Sequence, residues 1–440
     1  MKRRLSLALL ALALAAGVSL LGGALAGDPT AQPEQTPRGD AASSRILDGF
    51  SPGHTEAYAE ELSARVERDP HDAKALVLLG LAYQQQARET ADPAFYPRAE
   101  DALRRALASA RDDALAYTGL AALAASRHRF DEAARLARRA LRLNPWSSAA
   151  YGILGDALVE TGRYRAAFAA FERMVGLKPT AAAYARISYA RELLGRTKPA
   201  IAAMRLAVRA ARPVPEPTAW ALTHLGNLYR ESGRLGRAER LYDEALARLP
   251  GYAPALGALA TVRQWQGGLV AAARLYRRAL EAQPLPEYAV GLGDTQARTG
   301  NDAAAESAYD RAETLEDAFA ANGGRNALEI ALFDLDHDRD LADALTRARE
   351  GRRLRPSVEG EHVLAWALLR NGRCDEARAR SVRALRLGTK DWEAMIHRSL
   401  IEDCLGNRRT ARAWRARALA VNRYALVAFG PLPGKLRATP

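Results

Sequence analysis

The sequence predicts an all-α solenoid assembled from short helix-turn-helix repeats. Three observations carry that reading. Small and large apolar residues recur with a period of about 34 residues along most of the chain. Ala, Leu and Arg dominate, and all three favour helix. No stretch sustains the alternation of β-branched residues that a large sheet requires. The 440 residues are too many for one ordinary core, which a stacked array avoids. With 48% hydrophobic and 26% charged residues, most of the chain is expected to fold.

The first element is an address segment. Lys2, Arg3 and Arg4 precede an apolar run from Leu5 to Leu21, and Ala24-Leu25-Ala26 follows as a small-x-small cleavage pattern. Residues 1–26 therefore read as a signal peptide cut before Gly27. An uncleaved membrane anchor is the alternative, because the run approaches the length of a span. Either way the chain is expected outside the cytoplasm: secreted, periplasmic or held at the cell envelope. Any membrane tether would be this segment alone. Residues 27–52 are rich in Pro, Gly, Ser and Thr and read as a flexible linker.

The repeats come next. Residues 53–72 contain a half-repeat helix suited to cap the array, and residues 73–423 hold about ten copies. The clearest copy has Tyr151, Leu154-Gly155, Leu158, Gly162, Ala167, Phe171 and Pro179. Tyr117 and Pro145 stand one period earlier. Later copies carry Leu225-Gly226, Tyr229, Gly233, Ala238, Tyr242 and Pro250, then Leu259-Ala260, Gly267, Ala272, Tyr276 and Pro284. The first copy, at Leu79-Gly80 and Tyr83, is lengthened by about seven residues around Asp92–Pro97. Small residues let two helices cross closely, and the large ones fill the gap between neighbours. Glycine suits the turn, and proline stops the second helix. Residues 424–440 read as a C-terminal tail.

These residues and spacings resemble the tetratricopeptide pattern W-x2-L-G-x2-Y…A-x3-F…P, with Tyr and Leu in the Trp and Tyr places of the clearest copy. The chain is similar to bacterial exported tetratricopeptide-repeat proteins. That resemblance implies a right-handed superhelix whose first helices line a concave groove for peptides, extended segments or partner proteins. Chaperone-docking members use a clamp of paired Asn and Lys or Arg residues. Only Asn227 with Arg230 stands in comparable places here.

In the repeat frame the exposed face of the first helices should carry Trp220, Asn227, Arg230 and Glu231, then Gln264 and Trp265. Further on it should carry Arg298, His362 and Trp366. Trp and Arg are common anchors of partners, and amides pair with peptide backbone. For each Trp the competing reading is packing between helices. The stretch Trp220–Trp265 is the first choice of site.

Other chemistry is weaker. Asp334, Asp336, Asp338 and Asp340 alternate as calcium ligands can, but Arg339 and Leu345 stand where an EF-hand needs Gly and Glu. A polar turn with helix-capping aspartates explains them as well. The chain has no P-loop, no H-E-x-x-H and no G-x-S-x-G, so neither an enzyme nor a cofactor is expected. The formal charge is +13, or +10 once the three cations of the address segment are removed. The Arg residues are spread among acids through all repeats, which gives no specific nucleic-acid footprint. Binding of an anionic cell-envelope polymer is the second reading. Cys374 and Cys404 are open either to a disulfide or to burial as two thiols.

Overall fold

Six of the ten repeats begin where a short polar side chain caps a helix. Asp72, Asp113, Ser147, Thr180, Ser357 and Asp391 accept from backbone N–H groups two or three residues on. That satisfies a donor the first turn would leave unpaired. The computed structural model describes residues 54–429. The address segment, the whole of the linker and residues 430–440 lie outside them.

A single helix, α1 (Thr55–Arg68), opens the described chain. Ten antiparallel pairs follow. They are α2 (Ala73–Thr90) with α3 (Phe95–Ser109), α4 (Ala114–Ser126) with α5 (Phe130–Leu143), and α6 (Ser148–Glu160) with α7 (Tyr164–Leu177). Next are α8 (Ala181–Leu193) with α9 (Thr197–Ala211), α10 (Pro215–Glu231) with α11 (Leu235–Arg248), and α12 (Ala253–Trp265) with α13 (Leu269–Ala282). Then come α14 (Pro286–Thr299) with α15 (Asp302–Ala321), and α16 (Ala327–Asp336) with α17 (Leu341–Leu354). The last are α18 (Val358–Arg370) with α19 (Cys374–Ala384) and α20 (Trp392–Cys404) with α21 (Arg408–Val421). A short helix, α22 (Ala425–Phe429), ends the described chain. It falls inside the stretch read as tail, yet Ala425 and Phe429 are buried, and Phe429 packs edge-on against Trp366. No strand occurs among the described residues, and none of their helices is long and apolar enough to cross a membrane.

Within a pair, a small residue on the first helix meets a large one on the second. A Cβ on Gly226 would lie 2.3 Å from Tyr242, and one on Gly155 would lie 2.3 Å from Phe171. Both aromatic rings are fully buried. The Tyr242 hydroxyl then donates to Asn227 Oδ1 at 2.8 Å.

The superhelix closes on itself. Residues about 194 apart touch, so one turn takes between five and six repeats of about 34 residues. His128 Nδ1 lies 2.9 Å from the Arg325 carbonyl, and Arg129 donates to the Gly323 carbonyl. The Val358 N–H donates to the Tyr164 hydroxyl at 2.6 Å, and Asn422 donates to the Arg230 carbonyl. Gln283 donates to the Arg88 carbonyl, and Arg88 pairs with Glu216. Gly195 adopts φ +67°, and any Cβ there would stand 2.1 Å from the Gly388 carbonyl oxygen. Glycine is needed at that turn both for its backbone angle and for the approach of the next superhelical turn.

Arg355 is the central contact of the seam. Its guanidinium is 3% exposed and reaches Glu160 at 3.1 Å, Glu329 at 2.5 Å and Glu359 at 3.4 Å. It also lies over the Phe130 ring. Burial alone would lower the Arg355 pKa, but these carboxylates hold it well above its ordinary value. Replacing Arg355 with Met leaves three acids facing each other without their cation, a change that costs about 3–5 kcal/mol at a buried pair. The expected outcome for Arg355→Met is a larger radius of gyration by small-angle scattering with unchanged far-UV circular dichroism. An unchanged scattering curve would refute the closed seam.

Cys374 and Cys404 form a disulfide, with Cα atoms 6.1 Å apart. It ties α19 to the end of α20. A closed loop of 30 residues is worth about 3–4 kcal/mol. Reductant, or Cys374→Ser, should lower the urea midpoint accordingly; equal midpoints would mean that the bond contributes nothing.

Candidate functional site

Closure turns the groove between residues 84 and 329 into a chamber of about 240 Å³. Helix α10 supplies Trp220, Thr223, His224, Asn227 and Arg230, spaced three and four apart and so on one helix face. Helix α12 presents Pro254, Gly257, Ala258 and Thr261 in the same spacing. The opposite wall comes from the first turn: Gln84, Ala87 and Arg88 of α2, with Ala122 and Ser126 of α4. Tyr96, Tyr252, Tyr276, Tyr288 and Phe319 make much of the remaining surface aromatic.

Two departures from the repeat build part of this wall. The extra residues of the first copy contribute Pro93 and Tyr96. Helix α15 runs 20 residues where most second helices have 14, and its extension brings in Leu315, Glu316, Ala318 and Phe319. Phe319 meets Tyr96 edge-on at 6.4 Å and His128 at 5.3 Å, closing one end.

The polar groups of the chamber are unevenly satisfied. The Trp220 ring lies 4.4 Å from His224, and its indole N–H is buried without a partner among the described residues. Burial, helped by the Arg230 charge, pulls the His224 pKa down to about 4, so the ring is neutral. Asn227 accepts from Tyr242, while its amide nitrogen has no partner among the described residues. Arg230 is buried and engaged: it pairs with Glu231 at 2.8 Å and lies over Trp265.

The expected groove residues therefore divide. Trp220, Asn227 and Arg230 come together in the chamber. Trp265 and Trp366 were expected on an exposed face; both are core residues, 6% and 1% exposed. Trp265 packs edge-on against Trp392, and Trp366 stacks on His397 at 3.9 Å. Gln264 is buried and donates to Thr295. Glu231 accepts from the Trp392 indole across the seam at 2.8 Å, and Arg298 is half-buried outside the chamber. His362 is buried 2.7 Å from His397, its equivalent one repeat later. Trp392 covers Trp265, whereas the adjacent repeat and α22 cover Trp366, and the adjacent repeat covers His362 and Gln264.

The aspartates scatter. Asp336 accepts from the Trp366 indole, Asp338 pairs with Arg370, and Asp340 caps α17. Burial raises the Asp334 pKa to about 6. Among the described residues no group of three or more His, Cys, Asp or Glu is placed to hold a metal. Sequence reasoning missed His224, which the i+4 spacing from Trp220 could have found. It also missed Tyr96, Tyr288, Glu287 and Phe319, whose distance along the chain gives no such signal.

Comparison with known proteins agrees with the repeat frame. Tetratricopeptide-repeat family models match residues 124–190, 221–251 and 258–324. The chain carries tetratricopeptide repeats, and its fold is an all-α solenoid of that type. No curated protein matches it. Among solved structures it is similar to a human IFIT1 dimer with PPP-AAAA, at 13% identity over 93% of this chain and 94% of that one, with a TM-score of 0.46. It is similar to TTC0263, a thermophilic protein of Thermus thermophilus, at 21% identity over 43% and 98%, with a TM-score of 0.39. It is also similar to PilW, a type IV pilus biogenesis factor, at 20% identity over 44% and 90%, with a TM-score of 0.37.

An unpaired buried donor destabilises the free protein by about 1–3 kcal/mol. Trp220→Phe keeps an aromatic ring and removes that donor. Its urea midpoint is expected to equal or exceed that of the parent chain. A clear drop would show that the indole N–H already has a partner.

Proposed function

We propose that this chain is an extracytoplasmic scaffold that holds a segment of a partner protein inside its closed groove. Tetratricopeptide repeats support a protein-interaction role in general. The observation that carries the finer reading is the Trp220 indole, left unpaired on the wall of an aromatic chamber. Such a donor is useful when a backbone carbonyl enters. Asn227 beside it can donate to a second carbonyl. Flat aromatic walls with a few polar groups are how pockets combine affinity with orientation.

The extracytoplasmic setting rests on the address pattern before Gly27 and on the Cys374–Cys404 bond, which suits an oxidising compartment. An anionic polymer is less well matched to the groove, because the acids described below line its continuation. No catalytic role is proposed. The Asp336, Asp338 and Asp340 carboxylates each serve a structural partner.

The test is capture of native cell-envelope proteins by the chain from Gly27 onward, with Trp220→Ala and Asn227→Ala variants of normal helicity. A partner held by the parent chain and lost by both variants is the expected outcome, with binding about tenfold or more weaker for Trp220→Ala. Equal capture by all three would move the site out of the chamber.

A further inference from the structure

A second cavity of about 610 Å³ adjoins the chamber. Pro286, Glu287, Glu316 and Glu329 line both. The second cavity is acidic: ten carboxylates line it, against two arginines. Both arginines are engaged, Arg339 with Glu306 and Glu313, and Arg347 with Asp343.

The junction is where charge is left over. Glu329 has 8% of its side chain exposed and pairs with Arg355 through Oε1, but among the described residues its Oε2 has no partner. The Oε2 of Glu287 is likewise buried and unpartnered. Glu316 receives only the neutral Asn326 amide, at 2.7 Å. This happens in a chain with 64 Lys and Arg residues and 51 Asp and Glu residues. Cations are in surplus, and Arg355 serves Glu329, yet among the described residues none pairs with Glu287 or Glu316.

We infer that the junction receives a cationic side chain, and that the occupant is a partner-protein segment with Lys or Arg beside an aromatic residue. The inference rests on the scaffold reading above and specifies its ligand. The aromatic residue would lie against Trp220, Tyr252 and Tyr288, and the cation between Glu287, Glu316 and Glu329. A free polyamine would satisfy the acids but leave the aromatic chamber and the Trp220 indole unused. A segment uses both ends.

Titration of the junction follows the same geometry. Burial pushes the Glu287 pKa up to about 7 and the Glu316 pKa up to about 8. Glu329, Glu287 and Asp317 add to the rise at Glu316, and the Asn326 amide opposes it. For Glu329 burial pushes up, but Arg355 and His128 together hold it below its ordinary value. Near neutrality Glu287 and Glu316 therefore carry protons. An entering cation favours the ionised carboxylates and displaces those protons. Affinity should then rise as pH goes from 6 to 8.5, with proton release on binding.

The experiment is isothermal titration of the chain from Gly27 with acetyl-Gly-Gly-Trp-Arg-Gly-Gly-amide, its Arg-Trp reversal, the Gln-for-Arg counterparts, and spermidine. At least one Arg peptide should bind tenfold or more tighter than its Gln counterpart. Glu287→Gln combined with Glu316→Gln should remove that difference and leave the Gln peptides unaffected. These substitutions neutralise strained buried acids, so the variant is expected to fold; the pH profile of the parent chain is an independent readout. Equal binding of Arg and Gln peptides, no binding of either, or a flat pH profile would overturn the inference. Spermidine binding as tightly as the Arg peptide, and unchanged in Trp220→Ala, would overturn it too by assigning the acids to a free polyamine. Trp220-dependent capture of a partner alongside equal peptide binding would leave the scaffold reading standing without the cation.

Discussion

The architecture depends on the Arg355 guanidinium among Glu160, Glu329 and Glu359. Every repeat can stack on its neighbour without it, because stacking needs only the local match of small and large residues. Holding one superhelical turn against the next is a different requirement. Glu160 ends α6 in the first turn, whereas Glu329 and Glu359 lie in the second. A buried cation among three acids joins elements 26 to 195 residues apart. Such a cluster is poor evidence for stability as such, since apolar packing could do as well. Its value here is register: aligning the two turns is what brings Glu160 to the arginine that Glu329 and Glu359 already flank.

Register determines what the groove becomes. An open solenoid would present the faces of its first helices to solvent along their length. Here the seam buries the C-terminal part of that face, with Glu231 bonded to Trp392 and Asn422 set against the Arg230 carbonyl. What remains is a chamber where residues near Gln84, Trp220 and Glu287 meet. Glu329 belongs to both systems. One oxygen serves Arg355 in the seam, and the other faces the cavities unpartnered.

The repeat was legible in the sequence because stacking imposes a residue type at each place in the period. Gly226 and Tyr242, or Gly155 and Phe171, are read as a close crossing and its filler without any structure. Trp265 and Trp366 show where that legibility ends. Position in the period says which side of a helix faces the groove, but not which later element will cover it, as Trp392 covers Trp265 and Phe429 covers Trp366. Closure is a sum of small rotations between repeats, and no single residue encodes that sum. Pairs such as Tyr164 with Val358 leave no periodic trace. The histidines illustrate the same limit at short range: His362 and His397 are far apart in sequence but equivalent in adjacent repeats, and so they touch.

The chamber is most informative where the repeat breaks. A strict array would place the same side chains at every step and could not close a pocket at one particular place. The lengthened first copy brings Pro93 and Tyr96 inward, and the long α15 brings Glu316 and Phe319 to the same place from the other turn. Neither addition is required for stacking. Each converges on the span that holds the Trp220 indole and the Glu287 carboxyl, both buried without partners. Folding energetics alone would select against those orphans, because each raises the energy of the free protein. Irregular segments that build a wall around unsatisfied polar atoms are what the proposed ligand, with a carbonyl at one end and a cation at the other, would require.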